Sequence, residues 1–260
     1  MTAPVAVVFV ATDENNFLFG ALESLFASTT PPPEVVVVDN CSQESPVPKI
    51  ASSWPAVKVL SRERRFGLPA NLNFGFSATT APYVMLCNCD VIFKEGSVEA
   101  LARFLEEHSR AGVAAPKLLD PQGERRASAR RWYTPLSLMA LQGPWSKLLR
   151  NSALVRRSLY EDWDYRSARM VDWTPFSATM VRRAAFEQVG LMDERFWVYF
   201  DDVDICLRMH EAGWEVWCVP DSEIVHIEQR SSSRPFSRAW RWHLASMIKF
   251  WLKHRALKPS

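Results

Sequence analysis

Along the first 120 residues, short unbroken apolar runs alternate with segments whose apolar positions recur every three to four residues. The runs at 5–11, 34–39, 57–61, 83–88 and 112–117 predict strands. Val35 to Val38 is four valines with no polar alternation, as suits a parallel strand buried on both faces. Between the runs the spacing predicts helices over about 17–28, 68–78 and 97–108. This is a doubly wound α/β pattern, in which ligands bind beyond the carboxyl ends of the strands. From 121 to 171 the period fades into mixed Pro, Arg, Ser and Trp, read as a long excursion of binding loops or covers. Short helices are expected there around 136–141 and 146–154. Regular pattern returns with a strand at 177–182, helices near 183–189 and 201–212, and two short strands at 215–219 and 222–226. After Pro235, the residues Trp240, Leu244, Met247, Ile248 and Trp251 share one face of a final amphipathic helix.

Composition narrows the class. With 260 residues, 48% hydrophobic and 23% charged, the chain can bury a large core and is not disordered. No run approaches the ~18 apolar residues of a membrane-spanning helix. The run from Val5 to Ala11 has no basic lead-in, so a secretory leader is not expected. Five cysteines without a CxxC pair argue against a disulfide framework or structural zinc and suit a reducing cytosol. The net charge of +2 conceals an asymmetry: residues 121–171 carry ten Lys/Arg against four Asp/Glu, and residues 230–260 carry eight Lys/Arg and no acid. The remaining body is acidic. Such a layout predicts a site that handles a cation and two basic surfaces that meet anions. Nothing in the chain resembles a helix-turn-helix, zinc-finger or RNA-binding pattern, so nucleic acid is not the expected partner. GxGxxG and GxxxxGK[ST] are both missing, so a bound nucleotide would be held by side chains.

Four places carry candidate chemistry, each with two readings. Asn88-Cys89-Asp90 puts a carboxylate just past an apolar strand, either as a ligand for Mg²⁺ or Mn²⁺ or as a polar strand end. Asp201-Asp202-Val203-Asp204 opens a predicted helix. The helix dipole and an Asp204–Arg208 pair explain part of it, while adjacent carboxylates are also kept for metal binding or proton transfer. His226 ends an apolar run, as a buried side chain or a ligand. Trp173 is either core or a platform for a sugar ring.

Taken in order, these pieces resemble the family 2 glycosyltransferases of GT-A fold, in the bacterial rhamnosyltransferase-like branch. The resemblance rests on Val35-Val36-Val37-Val38-Asp39-Asn40-Cys41-Ser42, on Gly67 with Asn73-Phe74-Gly75, and on Asn88-Cys89-Asp90. Most specific is the stretch with Asp193-Glu194-Arg195-Phe196, Tyr199-Phe200-Asp201-Asp202-Val203-Asp204, Arg208, Ala212-Gly213-Trp214 and Val219-Pro220. It implies a Rossmann-like α/β/α sandwich around a mostly parallel mixed sheet. One domain would span 1–229, with a nucleotide-binding half (1–120), a variable acceptor-side excursion (121–171) and an acceptor and catalytic half (172–229). A basic aromatic C-terminal helix would follow at 230–260.

The implied activity is inverting transfer of a sugar, rhamnose among the candidates, from a dTDP- or UDP-linked donor to a glycan or lipid-linked glycan in cell-surface polysaccharide synthesis. By resemblance Asp202 is the general base, Asp90 and His226 bind the divalent metal, and Thr12, Asp39, Asn40 and Asn73 hold the nucleotide; Asn88, Trp173 and Asp201 join them as candidate substrate contacts. The expected setting is the cytoplasm, with the basic helix meeting an anionic membrane surface. The chain departs from the family pattern at Asn88, where an acid is usual, and at Glu44, Arg65 and Phe176. Two rivals follow: a catalytically silent nucleotide-sugar or glycan binder, and a sugar-nucleotide nucleotidyltransferase, whose Gly-rich basic N-terminal loop is missing at Ala11-Thr12-Asp13-Glu14-Asn15.

Overall fold

The computed structural model describes residues 3–142, 146–149, 151–227 and 237–254. The valine-rich runs form the parallel strands β1 (Val5–Ala11), β2 (Glu34–Asp39), β3 (Lys58–Ser61) and β4 (Tyr83–Cys87). They join β5 (Val91–Phe93), β6 (Ala111–Leu119), β7 (Arg169–Met170), β8 (Ala178–Arg182) and β9 (Glu215–His226) in one sheet. Its order is β3-β2-β1-β4-β8-β6-β9-β5, with β7 beside β9. Strand β8 is antiparallel to β4 and to β6, so β6 and β9 again run in the direction of β4. The carboxyl ends of β1, β2, β4 and β9 therefore share one edge, and the amino end of β8 meets them there.

Successive residues of each buried strand face opposite layers. Val7, Phe9, Val35 and Val37 pack toward α1 (Asn15–Ser28), α2 (Val47–Ser53) and α4 (Ser97–Glu107). Val8, Val10, Val36 and Val38 face α3 (Leu68–Ser77), α8 (Arg183–Gln188) and α9 (Asp201–Glu211). A Cβ at Gly75 would overlap the Val8 side chain, so the glycine sets how closely α3 lies on the sheet. The α/β/α sandwich around a mostly parallel mixed sheet is the expected architecture.

Several elements differ from the expected ones. The two short strands at 215–219 and 222–226 are one strand, β9. Its register against β6 slips where Val219 pairs Pro116 and Glu223 pairs Lys117, because Pro116 lacks the N–H that would continue the ladder. The expected helix at 146–154 is two pieces, α6 (Ser146–Leu149) and α7 (Ala153–Ser158), the second capped by the Ser152 hydroxyl accepting the Val155 N–H at 3.3 Å. With α5 (Pro135–Gln142) they furnish the excursion. Three of its arginines lie over rings: Arg125 over Tyr165 at 4.4 Å, Arg131 over Tyr160 at 4.3 Å and Arg130 over Trp173 at 5.3 Å. Part of its positive charge is thus a packing device. The short α2, β5 and β7 are too brief for periodicity to reveal.

On the final helix, α10 (Arg238–His254), Met247 of the apolar stripe packs against the core beside the buried Ser246 and Phe250. Leu244 and Ile248 of the same stripe stand 36% and 49% exposed, and Leu252 beside them 71%. The expected boundary at 229/230 lies outside the described residues. Among the described residues no helix is long and apolar enough to cross a membrane.

Candidate active site

The turns after β1 and β2 are tied into one cradle. Asn40 donates from Nδ2 to Thr12 Oγ1 and to the Phe66 carbonyl, both at 3.1 Å, and its Oδ1 accepts the Phe66 N–H at 2.8 Å. Asp39, nearly buried at the strand end, accepts the Ser42 N–H at 3.0 Å. Asp13 accepts the Gln43 N–H at 2.8 Å and pairs with Arg65, so the unusual arginine belongs to this mouth. The Glu44 carbonyl accepts from Asn15 Nδ2 at 2.8 Å. Thr12, Asp39 and Asn40 are thus brought together, with both amide hydrogens of Asn40 spent within the chain.

At the centre of the same edge the chain leaves β4 through Asn88, whose N–H donates to Ser177 at 2.8 Å. Asp90 follows, and β5 turns back antiparallel to β9 with Val91 opposite His226. The result sets His226 Nε2 3.2 Å from Asp90 Oδ1, both side chains being 13% exposed. Residues 136 positions apart are joined because both follow strands that end at one edge. Glu14, which nothing in its local pattern singled out, completes the acidic mouth. Burial first, then the charges of Asp90 and Asp13, push its carboxyl up to about 6. No three His, Cys, Asp or Glu among the described residues converge in metal-coordinating geometry. Two protein donors suit a hard divalent ion that takes its other ligands from diphosphate and water.

The third cluster surrounds the start of α9. Tyr199 and Phe200 adopt left-handed backbone, φ 67° and 61°, before Asp201 and Asp202. Such conformations cost a bulky residue roughly 1–3 kcal/mol each and concentrate at functional sites. Both carboxyls are raised: Asp201 by burial and then by its neighbour Asp202, Asp202 by burial against the lowering effects of the Val203 N–H and Arg130. Arg130 arrives from the excursion and also bonds Tyr133, whose phenol burial pushes up to about 12. Asp204 is fully buried and accepts from Arg208 Nε at 2.8 Å, as the spacing suggested. It also accepts Lys253 at 2.6 Å and lies 2.7 Å from His254 Nε2, two partners that no local spacing announces.

Two expected substrate contacts lie elsewhere. Trp173 is 3% exposed, donates its indole N–H to the Arg131 carbonyl at 2.9 Å and packs 5.2 Å from Tyr133. Its ring faces are covered, so it is core and no sugar platform. Asn73 spends its amide on the chain: Nδ2 donates to the Met192 carbonyl at 2.9 Å and to Glu194 at 3.0 Å, and Oδ1 accepts the Met192 N–H at 3.0 Å. It clamps a loop and has no donor left for a nucleotide. Phe176 is buried in the same core as Trp173.

Comparison with known proteins agrees with this arrangement. Residues 6–190 match the family described as Glycosyl transferase family 2. Over 95% of its length the chain is 30% identical to the N-acetylglucosaminyl-diphospho-decaprenol L-rhamnosyltransferase of Mycobacterium tuberculosis, covering 84% of that protein. It is 25% identical to the rhamnosyltransferase WbbL of Escherichia coli, over 67% of this chain and 63% of that one. The fold matches the mannosyltransferase PcManGT of Pyrobaculum calidifontis, solved with GDP-Man and Mn²⁺, at a TM-score of 0.68 and 17% identity, with 100% of this chain aligned to 66% of that one. It also matches S. aureus TarS with UDP-GlcNAc, at a TM-score of 0.65 and 15% identity over 95% of this chain and 66% of that one.

Proposed function

Because the chain belongs to the family 2 glycosyltransferases, we propose that this GT-A enzyme transfers a rhamnosyl group, with inversion, from a dTDP-linked donor to a glycan carried on a lipid diphosphate. The observation that carries the mechanism is the buried, raised pair Asp201–Asp202 that opens α9 behind the left-handed Tyr199–Phe200 turn. The named activity of the mycobacterial relative supports the sugar and the acceptor class.

In this reading Thr12 and Asp39 receive the nucleoside, and Asn40 fixes their turns, its two amide hydrogens being spent on Thr12 Oγ1 and the Phe66 carbonyl. Asp90 and His226 would hold a divalent ion on the diphosphate, which neutralises charge on the departing nucleotide. Asn88 in place of an acid leaves this mouth less negative, and the half-buried Glu14 adds a carboxyl that is partly neutral near pH 6. Asp202 accepts the proton of the acceptor hydroxyl as that oxygen attacks the anomeric carbon. Its raised pKa makes it a stronger base than an ordinary aspartate. Arg130 beside it favours the ionised form. The exposed stripe Leu244, Ile248, Leu252 would rest on an anionic membrane surface at the cytoplasmic face, where a lipid-linked acceptor is found.

The test is a transfer assay with the full chain, dTDP-rhamnose, Mn²⁺ or Mg²⁺ and a short-chain polyprenyl-diphospho-N-acetylglucosamine. Product with inverted anomeric configuration is expected, with UDP-GlcNAc and GDP-mannose poor donors. Asp202→Asn should bind donor normally and slow turnover ~10²–10⁴-fold. Turnover near wild type in that variant would remove Asp202 as the base, and preference for another donor would remove rhamnose.

A further inference from the structure

The turn that presents Asp202 is held from outside α9. Ahead of it, the left-handed pair Tyr199–Phe200 persists only if its surroundings impose that conformation. Helix α10 supplies those surroundings. The His243 ring lies 5.2 Å from Tyr199 and 5.1 Å from Phe200, Phe250 lies 5.6 Å from Phe200, and Ser246 Oγ donates to the Val198 carbonyl at 2.8 Å. Behind the turn, Lys253 Nζ bridges Asp204 Oδ1 at 2.6 Å and Asp193 Oδ2 at 2.7 Å, joining α9 to the loop before it. His254 adds a second contact to the same Asp204 oxygen.

We propose that α10 is a positioning element of the active site and Lys253 its principal positioning residue, holding Asp204 so that Asp202, two residues earlier on the same turn, points at the acceptor. The inference rests on Asp202 being the base. It makes the C-terminal helix part of the catalytic apparatus, although Lys253 itself touches no substrate.

The charges around the turn set a second consequence. Asp201, Asp202, Asp204 and Arg208 come from α9, Asp193 and Arg195 from the preceding loop, Arg130 and Tyr133 from the excursion, and His243, Lys253 and His254 from α10. Removing the Lys253 cation leaves the turn more negative, so its carboxyls hold protons to higher pH. The acid limb of the rate profile should move up.

Lys253→Met, Lys253→Arg and Asp202→Asn are compared in the dTDP-rhamnose transfer assay across pH, with thermal unfolding recorded for each. Lys253→Met should lower kcat ~10- to 100-fold, the range a small misplacement of a reacting group produces. Its donor KM should stay unchanged and its acid limb should rise, and Lys253→Arg should recover most of the rate. Wild-type kcat with an unmoved limb in folded Lys253→Met overturns the proposal, as does equal impairment in Lys253→Arg. If Lys253→Met does not fold, the double variant Lys253→Met/Asp204→Asn, which removes the buried Asp204 carboxylate together with its lysine partner, is read instead. Folded and slow with normal donor KM supports the positioning role; a wild-type rate, or failure of this variant to fold as well, overturns it. Full turnover in Asp202→Asn would instead sink the base assignment, whatever Lys253 does.

Discussion

Asn73→Ala separates a structural clamp from a nucleotide contact. The side chain makes three hydrogen bonds, two of them to the N–H and C=O of the buried Met192 and one to the exposed Glu194. Truncation leaves both Met192 backbone groups without their partner. A buried polar group deprived of its bond costs roughly 1–3 kcal/mol, while Glu194 recovers water at little cost. The loss should total about 2–5 kcal/mol after partial relaxation. At roughly 2–4 °C per kcal/mol for a chain of this size, the melting temperature should fall by about 5–15 °C. Asn73→Asp should be at least as harmful, because a carboxylate oxygen would face the Met192 carbonyl. Thermal unfolding followed by circular dichroism, with and without dTDP-rhamnose, reads the effect. Donor affinity measured well below the transition should match wild type, since both amide hydrogens are already engaged. An unchanged melting temperature with lost donor affinity would refute this reasoning and return Asn73 to the nucleotide.

As the proposed base Asp202 must be ionised, and its pKa is raised, so activity should fall with decreasing pH well above the ordinary aspartate value near 4; an acid limb at or below 4 would contradict this. Asp90→Ala and chelation by EDTA should each remove most nucleotide-sugar affinity, with His226→Ala weaker, as titration calorimetry would show; indifference to all three would exclude metal-assisted donor binding. Ile248→Glu with Leu252→Glu should abolish co-sedimentation with anionic vesicles at an unchanged melting temperature, whereas deleting α10 should unfold the protein; vesicle binding undiminished in the double variant would place the contact elsewhere.

The strand–helix alternation of the first 120 residues was legible because burial on both faces demands unbroken β-branched runs, and a helix on a sheet demands a 3.6-residue period. The same logic placed Asp39, Asn88 and Asp90 at strand ends. Glu14 sits at an equivalent end and escaped notice because its environment, which raises its pKa, is made by Asp90 from another strand. Trp173 and Asn73 read as substrate contacts from their residue types, yet burial gave one to the core and three hydrogen bonds gave the other to a loop.

The C-terminal helix shows where local pattern stops. Its apolar spacing was readable, but two stripes compete on it, and only packing decided between them. Phe250 and Ser246 turn inward because Asp193 and Asp204 wait there for Lys253, and buried carboxylates are far costlier to leave unpaired than Leu244, Ile248 and Leu252 are to leave in water. From its sequence alone, then, the chain's elements, fold class and acidic strand ends were determined, because these follow from local periodicity and the solvation of neighbouring side chains. Which distant charges meet, His226 with Asp90 and Lys253 with Asp204, was decided only by the tertiary structure, since pairing across more than 40 positions depends on strand order and burial and leaves no trace in local spacing.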